Sequence, residues 1–257
     1  MVQRKRKIEL DCPSLPKDWD EMIIPENMRT THDNLPFVIT EERIADDSNK
    51  VIWGFSSPSG LDTMRGAESL FADGTFEMVK QTLFSQIYVL VCPVGSISVP
   101  VAWFLLPKKE YSTYMKVLTC LKEEIGLKAP SKFHVDFEIA VMKAIRDVFS
   151  ESKIISCSVH FIRNIKKHLQ AKGLLQDYMT DTDIQTYIRY IWAMTLVPPN
   201  MITKVWKDFI IANQLEADEE ENEAINHSVC DSVSHSVSWI QYVSQVTNLK
   251  KFMSLSN

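Results

Sequence analysis

The hydrophobic pattern of this chain changes its period near residue 110, and that change constrains the fold more than any single motif. Before it, residues 69–78, 85–91 and 98–106 are rich in β-branched or aromatic side chains and are separated by glycine or proline. This pattern predicts a meander of three antiparallel strands. After it, apolar residues recur at spacings of three and four from residue 111 and stop at Gly126, which predicts a helix.

The next segments alternate between strand and helix. The strands are predicted at residues 132–136 and 153–159, and the helices at residues 139–149 and 161–173. The resulting order, βββαβαβα, is that of the ribonuclease H-like α/β fold, in which the first and fourth strands lie side by side in a mixed sheet. A further short strand pair, at residues 37–40 and 51–55, is predicted before the meander.

Composition and proline spacing divide the chain into four predicted segments. They are an extended N-terminal arm (1–35), the ribonuclease H-like core (36–175), part of an all-helical insertion (176–214) and an acidic, then serine-rich tail expected to be flexible (215–257).

Bulk properties narrow the class of protein. A hydrophobic content of 45% in 257 residues is ample for a packed core, and no apolar run is long enough for a membrane span. The first seven residues lack the apolar stretch of a secretory signal. We therefore expect an intracellular protein with no membrane partner. Five scattered cysteines without a CxxC pair favour reduced thiols.

Two aspartates, Asp73 in LFADGTF and Asp136 in FHVDFE, each follow a short apolar run. On adjacent strands their carboxylates could hold Mg²⁺ or Mn²⁺, which prefer oxygen ligands and polarise both oxygens of a phosphodiester displacement. Each has a simpler alternative. Asp73 with Gly74 is a common turn pair, and Asp136 could cap the next helix. Glu138 is best explained by the helix dipole, with metal support as a lesser option.

Four segments together resemble the transposase domain of Mutator-like elements (MULE), in the order and spacing of that family. They are LFADGTF, the strand at 99–107, the turn at 135–140 and CSVHF at 157–161. The resemblance covers residues 24–209 and implies a metal-dependent DNA transposase that uses Mg²⁺ or Mn²⁺. It implies that Asp73 and Asp136 are the first two acids of a DDE triad. It also implies that Cys157 and His160 match the CxxH signature, with His160 near the carboxylates.

The third acid of the family, a glutamate on a later helix, is not identifiable in this sequence. Glu221 and Glu223 are nominal substitutes, but six acids in eight positions are typical of a solvated segment. We therefore expect a truncated or degenerate copy in which catalysis is doubtful. The alternative function is a catalytically inactive, transposon-derived module that binds DNA or protein.

Cys157 and His160 supply only two of the four ligands that zinc needs. His227, Cys230 and His235 could complete a zinc site on paper. The other interpretation is structural, with a hydrogen-bonded His160 and a packed Cys157 at the end of a strand.

DNA is the expected partner, although the net charge of −5 excludes a surface that is basic throughout. Arg163, Lys166 and Lys167 project from faces of the predicted helix that lie away from its apolar stripe, and they are DNA-contact candidates. Exposed lysines are, however, ordinary on any soluble helix. The basic cluster at residues 4–7 could be a nuclear import signal or a phosphate-binding arm. A nuclear location and a homo-oligomer are further expectations.

Overall fold

The computed structural model describes residues 16–44, 50–75, 79 and 83–212. These residues belong to two compact units, Met1–Ile155 and Ser156–Asn257. The basic cluster at 4–7, the tail from 215 onward with Glu221 and Glu223, and the set His227, Cys230 and His235 lie outside the described residues. The domain boundaries at 35, 175 and 214 remain predictions.

A seven-stranded mixed sheet, counted over the described residues, dominates the first unit in the order β1-β2-β5-β4-β3-β6-β7. Its strands are β1 (Val38–Arg43), β2 (Val51–Phe55), β3 (Ser69–Thr75), β4 (Gln86–Val94), β5 (Ile97–Leu106), β6 (Lys132–Val135) and β7 (Lys153–Ser156). Strands β1 to β5 are joined by antiparallel pairs, whereas β3 and β6 are parallel. The α/β class and the mixed sheet are confirmed, as is the adjacency of the first and fourth core strands.

Helices connect and follow these strands. In the described residues they are α1 (Pro58–Arg65), α2 (Tyr111–Thr119), α3 (Ile139–Val148), α4 (Ser158–Ala171), α5 (Leu175–Thr180), α6 (Thr182–Ala193) and α7 (Pro199–Ala212). A π-helical turn, Cys120–Glu124, extends α2, and the chain then reverses at Gly126 with a φ of +73°. The predicted stop at Gly126 is therefore confirmed, and it uses the left-handed conformation that glycine tolerates.

The meander forms because β4 and β5 meet in a two-residue turn. Val94 pairs with Ile97, and Gly95 between them has a φ of +59°. Turns of this length need a positive φ to match the twist of the strands, which glycine adopts without strain.

One face of the sheet supplies the core beneath the candidate site. Leu70 and Ala72 of β3, Leu90 of β4, and Phe133 and Val135 of β6 are each at most 5% exposed. Helices α2 and α3 pack against each other in the same unit. The alternation of buried and exposed positions along β3 therefore determines which side chains point away from this core.

The segment from Pro16 to residue 35 contains turns and one 3₁₀ turn, Glu26–Met28. Met22 and Ile24 are buried with Val51 and Trp53 of β2. This segment therefore packs against the sheet through two apolar anchors. None of the helices in the described part of the chain is both long enough and apolar enough to span a bilayer.

Candidate metal-binding carboxylate site

Asp73 lies on β3, and Asp136 directly follows β6, the parallel strand that pairs with it. Strand β3 pairs with β6 in the register Ser69↔Lys132, Leu70↔Phe133 and Phe71↔His134. Extending that register by two residues places Asp73 opposite Asp136, which directly follows the last residue of β6. Adjacent strands are about 4.8 Å apart, so a continued register would bring the two backbone positions to about that separation.

The side of the sheet on which these residues lie follows from burial and from a ring contact. Along β3 the exposed Phe71 and Asp73 alternate with the buried Leu70 and Ala72. The rings of Phe71 and His134 stack with centroids 4.1 Å apart and planes 13° from parallel. Because strand residues alternate between faces, the register puts Asp73 and Asp136 on the side of this stacked pair, two residues farther along.

The alternative roles considered for the two aspartates can now be compared with the structure. Asp73 and Gly74 are paired with Val89 and Tyr88 of β4, so they lie within a strand and form no turn. Helix α3 has Glu138 as its N-cap residue. Oδ1 of Asp136 instead accepts a hydrogen bond from the backbone N–H of Glu138 at 3.2 Å. Asp136 therefore orders the turn that leads into the helix.

Tyr88 is a buried tyrosine of β4 on whose pKa three carboxylates act. It is 4% exposed, and its hydroxyl has no hydrogen-bond partner among the described residues. Burial raises the pKa of Tyr88 well above its usual value, and the charges of Asp136, Glu138 and Asp73 raise it further, together with Tyr114. The acidic groups at the ends of β3 and β6 thus act on one buried phenol.

Glu138 is a third acidic residue in this part of the chain, and the sequence did not indicate that it is half-buried. Its carboxyl group is half-buried, and Tyr114, which is itself 1% exposed, is one of the groups that act on the pKa of Glu138. Burial raises the pKa of Glu138. The Tyr114 hydroxyl lowers this pKa, and the charge of Asp136 raises it. Gln86 donates to the Tyr114 hydroxyl at 2.6 Å. In the sequence, Gln86 and Tyr114 belong to an apolar strand and an apolar helical stripe, so they were indistinguishable from core residues.

The donor set can be tested against a divalent cation. No group of three or more His, Cys, Asp or Glu side chains in the described residues has the spacing of a metal site. Mg²⁺, however, is commonly held by one or two carboxylates and completes its shell with waters and substrate phosphates. The pair Asp73 and Asp136 fits that mode, and Glu138 Oε1 is a buried carboxylate oxygen with no hydrogen-bond partner in the described chain.

Cys157 and His160 belong to the second unit. Cys157 is the N-cap residue of α4 and a free, half-buried thiol, and His160 lies in the first turn of the same helix. The other residues considered for a zinc site lie outside the described residues. The zinc hypothesis remains a prediction.

The basic residues of α4 are oriented as the sequence predicts. Phe161, Ile165 and Leu169 are buried, whereas Arg163, Lys166 and Lys167 are exposed. The structure therefore leaves all three cationic groups accessible, and their contact with DNA remains a prediction.

Comparison with known proteins adds no family. No protein-family model matches the chain, and no curated protein matches it. The resemblance to the transposases of Mutator-like elements thus depends on the four sequence segments quoted above.

Proposed function

We propose that this chain is a ribonuclease H-like domain of the Mutator-like transposase type, which binds Mg²⁺ or Mn²⁺ through Asp73 and Asp136 and acts on the phosphodiester bonds of DNA. The observation that supports the proposal is the parallel pairing of β3 and β6, whose register, continued by two residues, would bring the two aspartates together. The strand order β5-β4-β3-β6-β7 supports it, because the meander is followed by a crossover to a strand beside its first member.

Each residue then has a defined role. Asp73 and Asp136 hold the ion, and the backbone N–H of Glu138 fixes one oxygen of Asp136. The bound ion would stabilise charge on the attacking and leaving oxygens. Arg163, Lys166 and Lys167 would contact phosphates along the DNA because they are exposed and positively charged.

A second candidate is the inactive module that binds DNA or protein. It rests on the sequence, in which the third acid of the family is not identifiable. In-line displacement needs both oxygens to be placed, so a site with two carboxylates could bind metal and still cleave slowly.

Metal titration and plasmid nicking separate these candidates. Calorimetric titration should show Mn²⁺ binding, and Asp73→Asn and Asp136→Asn should each weaken the affinity at least about tenfold. Substituting even a residue that only hydrogen-bonds a metal ligand lowers metal affinity by about 10- to 100-fold. Asp33→Asn, which changes an exposed carboxylate, is the matched control. Nicking of supercoiled plasmid that both variants lose supports the enzyme, and Mn²⁺ binding without nicking supports the inactive module. No Mn²⁺ binding by the wild type contradicts the metal site.

DNA binding is tested by its salt dependence. The triple variant Arg163→Glu, Lys166→Glu, Lys167→Glu should reduce the slope of log K against log salt by about 3 for duplex DNA. Lys204→Glu with Lys207→Glu, on exposed positions of α7, is the control. An unchanged slope in the triple variant would exclude α4 as the contact surface.

A further inference from the structure

A cavity of about 510 Å³ lies in the second unit, between α6 and α7. Its described lining residues come from the last turn of α6, the turn that joins the two helices and the second half of α7. Pockets that hold small molecules have volumes of about 300–1,000 Å³. The cavity is therefore large enough to bind a ligand, and the chemistry of its lining indicates which kind.

Three aromatic residues line this cavity, namely Tyr190 of α6 and Trp206 and Phe209 of α7. The Phe209 ring contacts the other two, with its centroid 5.3 Å from that of Tyr190 and 5.4 Å from that of Trp206. The buried Tyr187 also contacts Phe209, with centroids 5.2 Å apart, and helps to hold it in place. The faces of aromatic rings carry a negative partial charge and attract cations.

One charged residue, Asp208, is present among the described residues that line the cavity. Its side chain is exposed, so it lies where the cavity opens to solvent. Lys204 and Lys207 are exposed on the same helix, but neither belongs to the described lining. A single carboxylate beside apolar and aromatic walls favours a ligand that combines a positive charge with apolar substituents.

The number of hydrogen-bond acceptors decides between two kinds of cation. A primary ammonium group has three N–H donors that must be satisfied when it leaves water. In the described lining, only Asp208 and the Tyr190 hydroxyl offer side-chain oxygen atoms as acceptors. A quaternary ammonium group has no N–H donor, and its methyl groups can pack directly against ring faces.

We propose that the cavity between α6 and α7 binds a methylated ammonium group, whose charge lies near Asp208 and whose methyl groups contact the rings of Tyr190 and Phe209. The site involves neither Asp73 nor Asp136. It is consequently independent of the proposed metal chemistry, and failure of one leaves the other standing.

Choline and its uncharged carbon isostere, in which a tert-butyl group replaces the trimethylammonium group, test the proposal on the full chain. The two molecules have nearly the same shape, so any difference between them reports the charge. Binding next to aromatic rings should shift the methyl proton resonance of choline upfield in NMR titrations, with a Kd of the order of 1 mM. The isostere should bind at least about fivefold more weakly.

Two substitutions at exposed positions identify the groups responsible. Asp208→Asn removes the charge and Tyr190→Leu removes a ring while keeping an apolar side chain, and each should weaken choline binding about fivefold. Neither should change the affinity of the isostere by more than about twofold. Asp183→Asn is the matched control, because Asp183 is an exposed acid of α6 outside the described lining, and it should leave both affinities unchanged.

Three results would overturn the proposal: no methyl shift at tens of millimolar choline, equal affinity for choline and the isostere, or wild-type choline affinity in both Asp208→Asn and Tyr190→Leu. A peptide that carries trimethyllysine identifies the source of the group. Competition by this peptide, and not by its unmethylated form, would support a protein side chain as the ligand. Choline binding that neither peptide affects would support a free small molecule.

Discussion

Tyr88 and Tyr114 should respond in opposite directions when each loses its hydroxyl group. Both rings are almost fully buried and they contact each other. Tyr114 accepts a hydrogen bond from Gln86, whereas the Tyr88 hydroxyl has no partner among the described residues. Phenylalanine preserves the ring in both cases, so each substitution isolates the effect of one oxygen atom.

The magnitudes follow from these contacts. A typical hydrogen bond contributes about 1 kcal/mol net, and one to a charged group about 1.5–3 kcal/mol. Tyr114→Phe leaves the buried Gln86 amide without its partner, so the free energy of unfolding should fall by about 1–3 kcal/mol. Tyr88→Phe removes a buried, unsatisfied hydroxyl and should leave stability unchanged or raise it by about 1 kcal/mol.

Hydrogen exchange of the slowest amides in β3 and β4 measures this difference, because these amides report the opening of the first unit. We expect the two variants to differ by about 3 kcal/mol in opening free energy. If Tyr88→Phe destabilised the unit as much as Tyr114→Phe, the Tyr88 hydroxyl would have a strong partner and the reasoning would be refuted.

Three further predictions concern packing, thiols and pH. Gly54→Ala should destabilise the first unit by about 1–3 kcal/mol in urea unfolding, because a Cβ atom there would lie 2.7 Å from both the Phe104 and the Thr40 side chain. Gly66→Ala is the control, since its Cβ atom would have no neighbour closer than 3.7 Å. Equal effects of the two substitutions would contradict the steric argument. Burial raises the pKa of Cys92 to about 11 and that of Cys120 to about 12. Mass spectrometry after brief iodoacetamide treatment should therefore find both unmodified in the folded protein, and rapid labelling of either would count against their burial. Because burial raises the pKa of Tyr88 in the fold, the stabilisation by its protonated form is complete below about pH 10 and is lost as the pH rises above it. Alkaline unfolding, followed by tyrosinate absorbance, should accordingly be less steep in Tyr88→Phe than in the wild type, and identical profiles would refute this.

The elements that could be predicted from the sequence are those with a local signal. Periodicity located the strands of the meander, the helix that follows it and the alternation up to α4. The glycine stop at Gly126 was also predictable, because its reversal depends on one residue's backbone freedom. Helix α1 was not predicted because its Pro58 and Gly60 resemble turn residues. In the structure, Pro58 occupies the first turn of the helix, and Ser57 accepts a hydrogen bond from Gly60 as its cap.

Features that depend on distant segments were beyond a local pattern. Strand β2 joins the sheet by pairing with β5, about fifty residues later in the chain. The candidate site likewise contains residues that the sequence indicated and contacts that it did not. Asp73 and Asp136 stand out because each follows an apolar run, whereas the bond from Gln86 to Tyr114 exists only once β4 and α2 have packed.

The adjacency of Asp73 and Asp136 is tested most directly by a disulfide between them. Backbone positions about 4.8 Å apart fall within the Cα separation of about 4.4–6.8 Å that a disulfide spans. The double variant Asp73→Cys/Asp136→Cys should therefore form this cross-link under mild oxidation, identified by peptide mass spectrometry. Failure of residues 73 and 136 to cross-link in a folded double variant, or preferential linkage of either one to a native cysteine, would contradict the carboxylate pair.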